Sequence, residues 1–272
     1  AILQHTRDVI FLEHRQVAEI TPDGCEIFNL DDRPQTPHAV TIPWDPVAAE
    51  KGTYRHFMQK EIAEQPRAIT DTIRGRTDFQ RGRIHFDHLH LTETEARALE
   101  KIIIVACGTS YHAGLVGKFM LESLAKVPVE VDYGSEFRYR SPLIGPHTAV
   151  LAMTQSGETV DTLAAMNEGR EQGATLWTIV NVLGSQAQRI ADGYILMQAG
   201  PEIGVASTKA FTTSLVDLYL LAHYLGDLRG TLPEDRRRAG VEALARLPDL
   251  IGRVSEQGDA YDALVEAFHD RD

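Results

Sequence analysis

The sequence predicts an α/β fold. A five-stranded parallel sheet is flanked by helices and preceded by a short antiparallel β-meander. Three observations carry this. Short apolar runs recur five times between Lys101 and Gln198. They are continuous rather than alternating, as in strands buried on both faces. Segments with helical spacing separate them, the signature of consecutive βα units.

The elements follow in order. Asp8–Glu13 and Gln16–Ile20 read as strands that could pair across His14-Arg15. Pro22-Asp23-Gly24 is a strong turn before a strand at Cys25–Leu30. So few strands make a poor core alone. They read as the tail of a domain, and the Asp-, Arg- and Pro-rich residues 31–50 read as a linker. Tyr54–Ile62 has helical spacing, and Pro66 starts a second helix ending near Gly75. Thr92-Glu93-Thr94-Glu95 is a capping-box pattern before a short helix.

The βα alternation then begins. Strand 101–106 leads to a helix over 110–126, with Val116, Phe119, Met120 and Leu124 on one face. Strand Val129–Tyr133 precedes a short helix at Glu136–Arg140. Strand 148–153 leads to a helix over 158–171, and strand Leu176–Val180 to a short helix at Ser185–Ala191. Tyr194–Gln198 is the fifth strand. Helices follow at 207–228, 233–256 and 258–268, and the apolar face of 207–228 is a candidate interface. In such a sheet the ligand lies at the carboxyl ends of the strands.

Composition narrows the function. A chain of 272 residues suffices for one or two domains with a real core. The net charge of −12 argues against a nucleic-acid or anionic-membrane partner, though not against a local anion pocket. Only Cys25 and Cys107 occur, which argues against a disulfide framework and fits a reducing, cytoplasmic compartment. Residues Ala1–Asp8 lack the apolar stretch of a signal peptide. No run reaches membrane-spanning length; Leu215–Leu225 is interrupted by Asp217 and His223.

Two turns carry the chemistry. Cys107-Gly108-Thr109-Ser110 follows one strand, and Thr154-Gln155-Ser156-Gly157-Glu158-Thr159 follows another. Each sets hydroxyls and backbone N–H groups at a helix start, where an anion is favoured. Having two such turns points to a phosphorylated small molecule. The alternative for Ser156, Thr109 or Ser110 is an ordinary helix cap. Cys107 reads as a small buried residue without an evident base to activate it. Gly204–Lys209 forms a third turn at the same edge. Lys209 could attract a phosphate or form a Schiff base, but a solvent-facing or paired lysine is the simpler reading. His85, His88 and His90 lack a recognised ligand spacing, so no metal is expected. Arg236-Arg237-Arg238 reads as a solvated helix start, and Arg138 and Arg140 as ion-pair formers.

Taken together, the turns are more specific than each alone. Cys107–Ser110, Glu136–Arg140, Gln155–Thr159 and Glu202–Phe211 resemble, in that order, the first sugar isomerase (SIS) domain of the glutamine–fructose-6-phosphate aminotransferase family. Tyr54–Ile62 and Glu64-Gln65-Pro66 resemble that family's approach to its isomerase half, and residues 1–45 the end of its glutaminase domain. The resemblance implies a flavodoxin-like SIS domain over 46–272. It implies fructose 6-phosphate or glucosamine 6-phosphate as ligand, a homodimer, and no cofactor. By position, Thr154, Gln155, Ser156 and Thr159 match the family's phosphate cradle, with Thr154 where Ser is common. Thr109 and Ser110 match contacts to sugar and phosphate, and Val205 and Ser207 contacts to the sugar chain.

The family's glutaminase cysteine has no counterpart at Ala1-Ile2. Its Schiff-base lysine and glutamate acid/base lie in or after a second SIS domain, and its histidine comes from a neighbouring subunit. The expectation is therefore an internal fragment without catalytic residues of its own, whose partners are the missing glutaminase and second SIS domains. Two rivals stand beside it. A non-catalytic SIS sensor is disfavoured by the meander and the charge. A dinucleotide-binding domain is disfavoured because Cys107-Gly108-Thr109-Ser110 stands where a glycine fingerprint would be.

Overall fold

A computed structural model describes residues 5–13, 15–42 and 50–270. The chain divides into two compact units, Ala1–Glu50 and Lys51–Asp272. The expectations on Ala1-Ile2, on His14 and on linker residues 43–49 lie outside the described residues.

In the first unit, β1 (Asp8–Ile10) does not pair with the strand that follows it. The Gln16–Thr21 strand (β2), Gly24–Asn29 (β3) and Pro34–Gln35 (β4) form one antiparallel sheet, while β1 pairs with Ala39–Thr41 (β5). The residues expected to be linker thus supply two strands. Pro34 is tolerated because β4 is an edge strand, where a missing N–H breaks no ladder on its open side. The Thr41 hydroxyl donates to the Asp8 carboxylate at 2.5 Å, fixing β1 on β5. Core is sparse here: Ile27 is buried, but Val17, Ile20 and Leu30 are exposed.

The second unit opens with α1 (Phe57–Ala63) and α2 (Gln65–Ile73). An unpredicted hairpin of β6 (Thr77–Asp78) and β7 (Arg83–Ile84) follows. Helix α3 (Glu93–Ala98) has the expected capping box. The Glu95 amide donates to Thr92 Oγ1 at 3.2 Å, and the Thr92 amide to Glu95 Oε2 at 2.8 Å. Then come β8 (Lys101–Ala106), α4 (Gly108–Leu124), β9 (Val129–Tyr133), α5 (Gly134–Phe137), β10 (Thr148–Thr154) and α6 (Val160–Glu171). After them run β11 (Thr175–Val180), α7 (Gln186–Ile190), β12 (Gly193–Leu196), α8 (Lys209–Arg229), α9 (Glu234–Leu244), α10 (Leu247–Ser255) and α11 (Gly258–Phe268).

The sheet is all parallel, in the order β9-β8-β10-β11-β12, which is the flavodoxin-like arrangement. Alternate residues feed two cores. Ile102, Ile104, Leu151, Met153 and Ile179 join the side covered by α4 and α8; Ile103, Val105, Val150, Ala152 and Leu176 join the side of α5, α6 and α7. The order reverses between β8 and β10, which opens a crevice at their carboxyl ends.

Four expectations need correction. Only half of the expected apolar face of α4 packs on the core: Met120 and Leu124 do, but Phe119 is 70% exposed and Val116 is also exposed. Ala113, Gly114, Gly117 and Leu121 face inward. A Cβ on Gly117 would lie 2.6 Å from Leu218, so small residues are what let α4 approach α8. The face of α8 expected as an interface is internal: Val216, Leu218, Leu220, Leu221 and Leu225 are buried. A helix buried on most of its surface, polar residues such as Asp217 and His223 included, serves the core of its own domain. The helix expected over 233–256 breaks between α9 and α10, where Pro248 lies in the first turn of α10. Proline cannot continue a helix but is accepted at its start. Finally, Arg237 is buried rather than solvated, donating to the carbonyls of Arg81 (3.1 Å) and Gly82 and pairing with Asp227. The hairpin beneath α9 presents carbonyls that need donors.

Candidate functional site

Three loops meet at the crevice. The first follows β8 and enters α4, the second follows β10 and enters α6, and the third precedes α8. They enclose a cavity of about 420 Å³. All eight residues singled out from sequence line it: Thr109, Ser110, Thr154, Gln155, Ser156, Thr159, Val205 and Ser207. Cys107, Thr162 and Glu202 line it too.

The second loop is built as a cup. Gly157 adopts φ +73°, a left-handed conformation open to glycine at little cost. Its amide donates to Thr154 Oγ1 at 3.2 Å, and the amide of Glu158 donates to Ser156 Oγ at 3.2 Å. The hydroxyls of Thr154 and Thr159 lie 3.3 Å apart. The cup is braced from behind. The Asn181 amide donates to Gln155 O at 3.2 Å, the Ala187 amide to Gly157 O at 3.0 Å, and the Gln186 amide to Glu158 Oε1 at 2.8 Å. A Cβ on Gly157 would collide with Ser185.

Helix starts differ from expectation by a residue or two, with consequences. Thr159, not Ser156, is the N-cap of α6, and its side chain makes no capping hydrogen bond. Cys107 is the N-cap of α4, also without a side-chain cap bond, so Thr109 and Ser110 sit inside the first turn. Both helices therefore turn N-termini without side-chain caps toward the cavity, where the backbone carries partial positive charge. Cys107, expected as a small buried residue, is only half-buried and lines the cavity, with Sγ 3.8 Å from the Thr162 hydroxyl.

The third loop is the reverse case. Glu202 Oε2 accepts the amides of Ala210 (2.9 Å) and Thr208 (3.3 Å), and Oε1 accepts the Ser207 hydroxyl at 2.9 Å. A carboxylate from the chain itself thus sits on the N-terminus of α8. Lys209 is 2% exposed and pairs with Glu64 at 2.6 Å, which settles it as a structurally paired lysine. Val205 is fully exposed at the cavity mouth.

Sequence reasoning missed Glu202, which stands inside a motif quoted for resemblance alone. An acid shortly before a helix start was the available signal. It also missed Glu61, discussed below, and Asn181. The Asn181 side chain donates to Gly200 O at 2.8 Å and accepts the Ala199 amide at 3.0 Å, fixing the path out of β12. Away from the cavity, His88 stacks on Tyr194. Arg138 pairs with Asp161, and Arg140 with Glu130 and Asp132.

Residues 97–224 match the SIS domain family. Over its whole length the chain is 45% identical to a glutamine–fructose-6-phosphate aminotransferase (isomerising) of Symbiobacterium thermophilum, covering 45% of that protein. It is 42% identical over 268 residues to the one from Methanosarcina acetivorans, covering 98% of this chain and 43% of that protein. Among solved structures, the C-terminal domain of the glucosamine-fructose-6-phosphate aminotransferase from Francisella tularensis is 36% identical, with a TM-score of 0.76, over 81% of this chain and 62% of that one. The chain spans about 45% of the length of the first of these relatives.

Proposed function

The chain belongs to the SIS-domain family and is a relative of the glutamine–fructose-6-phosphate aminotransferases, and on that premise we propose that its crevice binds fructose 6-phosphate or its product glucosamine 6-phosphate. The observation that supports this best is the convergence of eight hydroxyl, amide and apolar residues on one cavity between two uncapped helix N-termini. The phosphate is assigned to the cup of Thr154, Gln155, Ser156 and Thr159, with Thr109 and Ser110 across from it. The sugar carbons run toward Val205 and Ser207, with Glu202 alongside to accept from sugar hydroxyls.

The role proposed within the whole reaction is anchoring. Ammonia released from glutamine condenses with the C2 carbonyl of the open-chain ketose, the carbonyl oxygen leaving as water, and a proton moves between C1 and C2 of the resulting imine to give the amino aldose. Holding the phosphate fixes the reacting carbons and lowers the entropic part of the barrier. We assign residues 1–45 to the end of a glutaminase domain and 46–272 to a first SIS domain, in a cytoplasmic homodimer. For the described residues, no helix is long and apolar enough to cross a membrane.

Calorimetric titration with fructose 6-phosphate tests the reading, with fructose and NAD as controls. Saturable binding that requires the phosphate is expected. Binding of NAD in its place would replace the reading with a dinucleotide site.

A further inference from the structure

The segment Tyr54–Pro66 carries much of the chain's family resemblance, yet none of it lines the cavity. Its acids reach the third loop from outside. Glu61, on α1, is 2% exposed. Its Oε1 accepts the amides of Ile203 at 2.6 Å and Gly204 at 3.1 Å, and Oε2 accepts Gly204 again at 3.3 Å. A residue later in the same segment, Glu64, holds Lys209 at the start of α8. Two carboxylates from one short segment thus grip the loop, Glu61 at Ile203-Gly204 among the residues that line the cavity and Glu64 at Lys209 just after them.

Burying a carboxylate costs several kcal/mol unless its oxygens are well satisfied. Here the acceptors are matched to two consecutive amides of one loop, and to no residue of the sheet. The grip fixes backbone at Gly204, one residue before Val205 and two after Glu202.

We propose that Glu61 is a positioning residue for the sugar-phosphate site, acting through the Glu202–Ser207 loop rather than by touching the ligand. This rests on the reading of the crevice given above. Without the carboxylate, the loop samples orientations in which Val205 and Ser207 no longer face the bound sugar.

The test uses this chain, fructose 6-phosphate, calorimetry and amide hydrogen exchange. Glu61→Ala is expected to weaken binding about tenfold, equivalent to about 1.4 kcal/mol. Exchange at Ile203 and Gly204 rises, while protection in β8 and β10 is retained. Glu61→Gln keeps an acceptor at the Oε1 position and is expected to restore affinity to within about threefold of wild type, or about 0.65 kcal/mol. Gly204→Ala reaches the same contact from the loop side, since its Cβ would lie 2.6 Å from Glu61 Oε2. It should weaken binding as Glu61→Ala does, and it decides the matter if Glu61→Ala fails to fold. Wild-type affinity in a folded Glu61→Ala, or in Gly204→Ala, overturns the proposal. So does a Glu61→Gln as weak as Glu61→Ala, because position would then not be the cause. If the wild type binds no fructose 6-phosphate, the reading of the crevice fails and this proposal with it. If the wild type binds and Ser156→Ala abolishes it while Glu61→Ala does not weaken it, only the positioning role fails.

Discussion

The two sides of the crevice treat negative charge in opposite ways. On one side α4 and α6 begin without side-chain caps, ringed by the hydroxyls of Thr109, Ser110, Thr154, Ser156 and Thr159. On the other side α8 begins under the carboxylate of Glu202, and the loop before it is held by the buried carboxylate of Glu61. Three helix N-termini at one sheet edge would be equivalent anion seats if the dipole alone decided. They are not equivalent, because one is already neutralised by the chain. The lesson is directional. On the function proposed above, a ligand with an anionic end and a hydroxylated end would take one orientation here, phosphate to the open termini and hydroxyls to Glu202 and Ser207.

The largest expected effect comes from removing the open side. Ser156→Ala with Thr159→Ala deletes two hydroxyls that would bond a phosphate. At roughly 1.5–3 kcal/mol for each hydrogen bond to a charged group, binding of fructose 6-phosphate should weaken on the order of a hundredfold or more. Titration of the double variant measures it. Unchanged affinity would break the comparison, since the open side would then hold nothing.

Next is the scaffold beneath the cup. Gly157→Ala forces an alanine into φ +73° and its Cβ into Ser185. A loss of roughly 1–3 kcal/mol in unfolding free energy is expected, read by urea denaturation. Ser185→Gly in the same chain should recover the steric part and not the conformational part.

Much of this was legible in the sequence, for a physical reason. Continuous apolar strands such as Ile102–Ala106 and Val150–Met153 have one plausible use in a parallel sheet, and the hydroxyl turns after them lie at its carboxyl edge by topology alone. What was not legible depended on tertiary partners. Phe119 reads as core by periodicity, yet the close approach of α8 selects Gly117 on the opposite side. Pro248 splits a helix whose periodicity continues across it. β1 reads as the partner of its neighbour but finds β5. Glu61 reads as one more polar residue on an amphipathic helix, because its partners are backbone amides far along the chain.

A third prediction contrasts two parts of α8. At its start the polar groups are met by Glu202 and Glu64. In its middle, His223 is 2% exposed and neither ring nitrogen finds a partner among the described residues. Burial, with a smaller contribution from the nearby Arg237 charge, pushes its pKa down to about 4 from 6.5. The folded-state value is the lower one. Below pH 6.5 the unfolded chain therefore takes up a proton that the folded chain refuses, and stability is lost as pH falls from 6.5 toward 4. Between pH 7 and 5.5 the loss should be about 1 kcal/mol. Denaturation across that range in wild type and His223→Leu checks it; the variant should lack this component of the slope.

The smallest effect probes the closed side directly. Glu202→Gln keeps an acceptor for Ser207 but removes the charge over the start of α8. A stability loss of about 0.3–1 kcal/mol is expected, the usual scale for a charge at a helix terminus. Its effect on inorganic phosphate is the sharper measurement. In the wild-type background phosphate binding should rise only slightly, through the less negative local field, and the rise should fade with added salt. In the Ser156→Ala, Thr159→Ala background, Glu202→Gln should not restore phosphate binding, because the loop before α8 remains shaped around Glu61 rather than around an anion. Restoration in that background would mean that a single carboxylate is all that distinguishes the two sides. The orientation assigned to the ligand would then rest on one residue rather than on the fold.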